Sequence, residues 1–536
     1  MEAFGFMLHL AQALGPETIS WLKPTLLGQT DPNAALLPYW LGAWGILLSP
    51  SFVPLDFAAR LPFIGLLLLT LTATWYGVYA LARTPSAQPV TFAFGGEAKP
   101  ADYARAIADG GLLALLACLG LARLSHEATP ALAQLSFSTL LFFALANLPR
   151  KRTGAWVSAA IAIVGLALSG APALAMILGV GGSVVMALDS DKPSALRARR
   201  IDVAWVLLVC LVTAALVSAL GLWRWRVAAS HVFEIKSMVR LLMWFTWPAW
   251  PLALWTLWRW RYQLKNILAN PHLSLPLWFV AVSVITTWLS GLSDRALLLS
   301  LPELATLAAF ALPTLRRSVG AFIDWFTLVF FSVGALIIWV VWTSMHTGVP
   351  AQPAINVARL APGFNYVFSG YALICAVLAS LVWASLVKWR AGRHRSAIWK
   401  SMALPAGGAT LCWLLVMTLW LPLLNFARSY EPLVLKVKEK TGPTSCAHYH
   451  ALTRAQGAAF EFHGQLKLLP ISKKSTDDTR PKSVCEWLIV DTQAVGNLKN
   501  DVDMSQWVLL ATVRRPSDNN EDIILYKSTA SAAEKH

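Results

Sequence analysis

Ionisable side chains are scarce in this chain, so the few that interrupt its apolar stretches are where chemistry would be done. Only 13% of the 536 residues are charged, against 57% hydrophobic. His126 and Glu127 stand together in SHEATPAL at the end of an apolar run, where an ionisable group is costly unless it pairs or faces water. A carboxylate there can take a proton from a hydroxyl, and an arginine can hold an anionic oxygen through charge-assisted hydrogen bonds. Arg295, in SGLSDRALLLSLPEL, is such a cation, and its rival role is a local pair with Asp294. Asp109, inside IADGGLLALL, reads as an internal structural acid paired with a neighbouring helix. Cys446 and Cys485 are the two cysteines of the polar C-terminal stretch, and two chemistries are open to them. A disulfide suits an oxidising compartment; zinc would recruit His448, His450 and His463, but without a C-x-x-C spacing to support it. Cys118, Cys210, Cys375 and Cys412 lie in apolar runs as small core residues.

The elements that must carry these residues are membrane spans. A soluble chain of this length would need far more charge to keep its surface wet. The net charge of +16 does not point to nucleic acid, because Lys and Arg sit in short clusters between apolar runs and form no basic stripe with interleaved aromatics. Twenty-six tryptophans suit the headgroup layer. A span needs roughly 20 apolar residues to satisfy its backbone across about 30 Å of hydrocarbon. Twelve are expected, at 61–82, 103–123, 131–148, 154–169, 172–188, 203–222, 240–258, 275–291, 297–314, 322–343, 366–388 and 402–425. If the first runs inward, twenty Lys and Arg fall in inner loops, in clusters such as Arg150 to Arg152, Lys192 to Arg200 and Lys388 to Lys400. Seven fall outside: Arg123, Arg224, Arg226, Lys236, Arg240, Arg295 and Arg359. The positive-inside rule then places both ends outward.

Three regions follow: an outward segment with juxtamembrane helices at 1–60, a helical membrane domain at 61–426 and a soluble periplasmic domain at 427–536. In the last, 430–440 has helical character, while CEWLIVD, WVLLATV and DIILY read as strands of a small α/β domain. The basic, aromatic loop from Trp223 to Arg240 suits an interfacial position that contacts anionic lipid or simply anchors the chain. An outward 1–60 needs an exporter, and two are open: a first helix preceding Met1, or passage of the apolar Met1–Leu14 stretch with the first hairpin.

The order of features now resembles a known family. The helical start MEAFGFMLHLAQAL is followed by Trp21, Pro24 and Gly28 in WLKPTLLG, then DPNAALLPYWLGAW, then AARLPFIGLLLLTLTATWYGVYALAR. This is similar to the first periplasmic loop and following span of bacterial integral-membrane glycosyltransferases, the GT-C-type, family 39-like group that includes the lipid A aminoarabinose transferase and the protein O-mannosyltransferases. The acid in SHEATPAL and the basic residue in SGLSDRALLLSLPEL fall where that family has them. The resemblance implies thirteen spans with the catalytic loop after the first, so the chain matches the plan minus one helix. Met1-Glu2-Ala3 falls on the family's Asp-Glu-Ala opening, which puts its aspartate at or just before Met1. Asp31 stands in TDPN where relatives have Glu-Lys-Pro.

What the resemblance implies for function is transfer of a sugar from a polyprenyl-phosphate donor to a lipid, glycan or protein acceptor, at the outer face of the bacterial inner membrane. Glu2, Asp31 and Glu127 are the candidate catalytic carboxylates. Arg295, Arg60 and His126 are the candidates for the donor phosphate, with a divalent metal ion as an alternative source of charge. Each has a plainer role: solvated surface for Glu2 and Asp31, a headgroup anchor for Arg60. The loops that carry Glu2, Asp31, His126, Glu127 and Arg295 are expected to converge on one outward cavity. A lipid or solute transporter is the rival, which would show paired broken helices and midplane ionisable groups; an inactive scaffold is another. The upstream in-frame codons are expected to encode an apolar segment of about 20 residues ending in an acid. A stop codon there, with full activity of the chain as it stands, would overturn that.

Overall fold

The computed structural model describes residues 1–12, 19–88, 99–188, 196–223, 235–392, 400–442, 446–471, 485–496, 498, 502–515 and 521–529. Lys192, Arg224, Arg226, Arg393 and Arg395, and with them most of the loop from Trp223, lie outside these. The chain is mostly helical with a small sheet near its C-terminus, and it divides into two compact units. One holds Pro32–Leu336 and Ala376–Leu415; the other holds Met1–Asp31, Ile337–Cys375 and Val416–His536.

Among the described residues eight helices are long and apolar enough to cross a membrane: Leu55–Ala82, Pro130–Asn147, Arg199–Ala219, Pro271–Leu289, Asp294–Thr314, Arg317–Thr347, Gly370–Arg390 and Lys400–Leu419. The chain is a multi-pass membrane protein. The other four expected spans take shorter forms. Two are the apolar helices Arg152–Leu168 and Pro172–Ala187. The remaining two are broken. Extended backbone at Cys118 separates Pro100–Ala117 from Leu119–Leu124, and a turn before Pro248 separates Ile235–Phe245 from Ala249–Arg259. Proline cannot donate its missing N–H, which explains the second break. The two breaks repair each other: the Leu119 N–H donates to the Trp247 carbonyl at 3.1 Å. Gly120 makes this approach possible, since a Cβ there would lie 2.4 Å from the Phe245 ring.

The first long helix starts at Leu55, six residues before the expected 61, and carries Pro62 inside it. Pro62 leaves the Ala58 carbonyl without its usual donor. The helix Leu37–Leu48 crosses at that point, and a Cβ on Gly45 would stand 2.6 Å from the Ala58 oxygen. Glycines set a second close packing: a Cβ on Gly408 would meet the Phe331 ring at 2.2 Å and one on Gly407 would meet Leu386 at 2.4 Å. Small residues let helices approach where lipid supplies no hydrophobic drive between them. Asp109 accepts a hydrogen bond from the Trp75 indole at 2.8 Å.

In the second unit a five-stranded sheet runs in the order Lys467–Pro470, Cys446–His450, Trp487–Asp491, Asp522–Ser528, Trp507–Arg514. The first three are parallel and the rest antiparallel. Leu488, Val490 and Tyr526 form its core with Leu498 and Val502. Helix Arg454–Phe462 opens with a capping box between Thr453 and Gln456. Cys446 and Cys485 are joined by a disulfide, S–S 2.07 Å, that ties the start of strand Cys446–His450 to the chain just before its parallel neighbour Trp487–Asp491; the thiols are therefore not zinc ligands.

The N-terminal segment packs on this sheet domain. Helix Glu2–Gln12 lies against Arg454–Phe462: Glu2 pairs with the Arg454 Nε at 2.8 Å, His9 with Glu461 at 2.7 Å, and Phe4 meets Phe462 edge-on at 4.9 Å. A tight hairpin follows, Thr25–Leu26 with Gln29–Thr30, its turn made by Leu27 and Gly28 at positive φ. The Tyr449 hydroxyl donates to the Leu27 carbonyl, and Arg454 to that of Thr30.

Two predictions follow from this unit. The disulfide closes a loop of 39 residues, so the Cys446→Ser, Cys485→Ser double variant should lose roughly 4 kcal/mol of stability. The check is earlier cleavage of the tail in limited proteolysis of the full chain. The hydrogen bond and charge of Glu461 raise the His9 pKa above its usual 6.5. The pair therefore contributes fully below that pH, and its contribution is lost as pH rises through the raised value. Hydrogen exchange of helix Glu2–Gln12 should accelerate, beyond the intrinsic pH effect, as pH rises above the usual histidine value of 6.5 and through the raised one, and His9→Gln should remove that excess.

Candidate active site

The sequence singles out two loop ends in the membrane unit, and the structure brings them together. Helix Leu119–Leu124 ends in the turn that carries His126 and Glu127, where the Glu127 N–H donates to the Leu124 carbonyl. Opposite it, the single turn Asp294–Leu297 starts a long apolar helical stretch and presents Asp294 and Arg295. Arg295 donates to Glu127 at 3.4 Å, and Arg123 pairs with Asp294 at 3.4 Å. The Arg123 guanidinium also lies 5.1 Å from the Trp244 ring centre. The two acid–base doublets are thus crossed: the local Asp294–Arg295 pair is replaced by one pair from each loop to the other.

Both contacts are long and wet. Arg295 is 57% exposed and Glu127 33%. Exposed pairs of this kind are worth about 0–1 kcal/mol, so little holds Arg295 back from a better partner. A doubly charged phosphate offers bidentate hydrogen bonds and more charge than a carboxylate. Glu127 would then stand released beside the same space. His126 packs against Trp413, ring centres 5.1 Å apart.

The other candidates are placed differently. Arg60 sits one turn into helix Leu55–Ala82 and makes a 3.8 Å pair with Asp56, both well exposed, as a headgroup anchor would be. Glu2 belongs to the other unit with Asp31. Its carboxylate is engaged by the Arg454 guanidinium at 2.8 Å. Asp31 is buried, 4% exposed, directly after the N-terminal hairpin. Among the described residues no three His, Cys, Asp or Glu side chains form a group able to hold a metal ion.

Sequence reasoning passed over Glu303. It lies in LPELATLAAF, wholly buried, and neither carboxyl oxygen has a hydrogen-bond partner among the described residues. One acid inside an apolar run was the available signal.

No family model matches the chain, and no curated protein matches it. Solved structures do. ArnT from Cupriavidus metallidurans bound to undecaprenyl phosphate aligns with a TM-score of 0.62 at 13% identity, covering 98% of this chain and 93% of that one. Its apo state aligns with a TM-score of 0.61 at 15% identity, covering 99% and 93%. Such identities speak to architecture alone. The chain has the fold of ArnT over almost its whole length, which is the GT-C-like helical bundle with a small C-terminal α/β domain that the resemblance in its loops implies.

Proposed function

We propose that the chain is a membrane glycosyltransferase that moves a sugar from a polyprenyl-phosphate donor to a lipid, glycan or protein acceptor. The observation that carries this reading is the full-length likeness to ArnT, a protein whose solved structure holds undecaprenyl phosphate. The reaction belongs at the outer face of the bacterial inner membrane, with the C-terminal domain in the periplasm, as the excess of inner-loop Lys and Arg supports.

The chemistry assigned to the crossed loop ends is as follows. An acceptor hydroxyl attacks the anomeric carbon, its oxygen forming the new bond as the carbon–phosphate oxygen bond breaks with inversion. The proton passes to a carboxylate, for which Glu127 is the assignment. The electron pair leaves on polyprenyl phosphate, whose charge Arg295 receives once its weak pair with Glu127 opens. His126 flanks the phosphate, Arg60 holds the headgroup layer, and Glu2 is given the structural role its Arg454 pair supports.

One observation favours a second reading, a transporter of lipid or small solute. Two broken helices meet at Leu119 and Trp247, and the same unit buries Glu303 without a partner among the described residues. Proteoliposomes separate the two: the transferase reading expects polyprenyl phosphate release coupled to sugar transfer, the transporter reading expects movement of label with no new glycosidic bond.

The test is transfer from radiolabelled undecaprenyl-phosphate sugars in membranes that contain the full chain. Arg295→Ala should cut kcat/KM by about 10²-fold, as loss of one charge-stabilising donor does, and Glu127→Gln by about 10²-fold or more, as loss of a general base does. Expression and membrane insertion should not change. Wild-type rates in both variants would remove these two residues from the mechanism.

A further inference from the structure

The basic, aromatic loop that the sequence singles out runs into helix Ile235–Phe245, to which the proposed reaction gives no role. One side of this helix packs on Leu119–Leu124 and on the turn Asp294–Leu297, the two elements that carry the crossed pairs. The Trp244 ring centre lies 5.1 Å from the Arg123 guanidinium, and the Phe245 ring occupies the space that a Cβ on Gly120 would need. The other side is open: Ile235, Lys236, Val239, Arg240 and Met243 are all exposed.

The winding of the helix sorts these five. At about 100° per residue, Ile235, Val239 and Met243 fall within one arc of about 80°, and Lys236 and Arg240 extend that arc by about 60°. No acid interrupts it, since the helix reads IKSMVRLLMWF. Nothing holds the two cations either: among the described residues no ion pair or hydrogen bond engages Lys236 or Arg240. Apolar exposure continues past the break, through Trp247 to Leu254 and Trp258 of Ala249–Arg259, along the outside of the broken span.

That combination identifies the partner. Free cations are costly in hydrocarbon and a row of apolar side chains is unfavourable in water, so the boundary between the two suits both halves of the arc. We propose that this face docks on an anionic membrane surface, with Ile235, Val239 and Met243 among the acyl chains and Lys236 and Arg240 at the headgroup phosphates. The opposite side of the same helix holds Trp244 against Arg123, so docking sets the anionic headgroup layer beside the crossed loop ends. This surface does not depend on the glycosyltransferase reading, because docking requires no transfer. Two basic side chains favour an anionic surface over a zwitterionic one by about 30-fold.

The experiment is hydrogen exchange of the purified full chain in nanodiscs of dioleoyl phosphatidylglycerol or of dioleoyl phosphatidylcholine. Amides of Ile235–Phe245 should exchange about tenfold or more slowly in phosphatidylglycerol. The Lys236→Gln, Arg240→Gln double variant changes exposed side chains only and should exchange alike in both lipids. A second measurement reads the same face without exchange: Val239→benzoylphenylalanine, illuminated in membranes that contain the full chain, should crosslink to lipid. Equal exchange of the unmodified chain in the two lipids overturns the proposal, and so does a lipid difference that survives the double variant. Crosslinking at position 239 to another polypeptide in place of lipid also overturns it and gives the face to a protein partner.

Discussion

Hydrocarbon offers no water to a backbone N–H or carbonyl, so every interruption of a spanning helix has to be answered by another part of the protein. The rest of the membrane unit follows from this. At Cys118 and before Pro248 two helices break, and the Leu119 N–H closes on the Trp247 carbonyl. At Pro62 the Ala58 carbonyl loses its donor, and the crossing helix comes close at the one residue there that lacks a side chain, Gly45. Hydroxyls join helices elsewhere: that of Thr256 donates to the Leu307 carbonyl and that of Ser136 to the Leu66 carbonyl. Each such contact specifies which helices are neighbours, because only the right neighbour carries the missing group.

Polarity is spent very differently at the two ends of the ionic scale. The Glu2–Arg454 and His9–Glu461 pairs are short and backed by packing of Phe4 on Phe462, so they fasten a helix to a domain. The pairs between Arg123 or Arg295 and the facing acids are longer and exposed, so they orient charge at small cost and release it at small cost. Glu303 stands apart from both, a buried acid whose carboxyl oxygens have no hydrogen-bond partner among the described residues.

The twelve apolar runs were legible because hydrophobic length needs no knowledge of neighbours, and all twelve fall on helical stretches, though four take shorter or broken forms. Three strands of the sheet were legible for the same local reason, in CEWLIVD, WVLLATV and DIILY. The strands Cys446–His450 and Lys467–Pro470 were not: CAHYH shows little apolar alternation, and parallel strands draw their partners from distant parts of the chain. Helix Arg454–Phe462 escaped notice although Thr453 and Gln456 spell a capping box.

By itself the sequence determined the solvent and the helical class, because composition and apolar length act residue by residue. It also named Glu127 and Arg295, since an ionisable group at the end of a span is conspicuous without any structure. Only the tertiary structure decided the partners. Arg295 pairs with Glu127, 168 residues away, and Asp294 with Arg123, where the sequence suggested a pair between neighbours. Glu2 pairs with Arg454 across nearly the whole chain. Charges choose among partners by distance in space, and that distance is set by how broken helices and glycine contacts bring remote segments together.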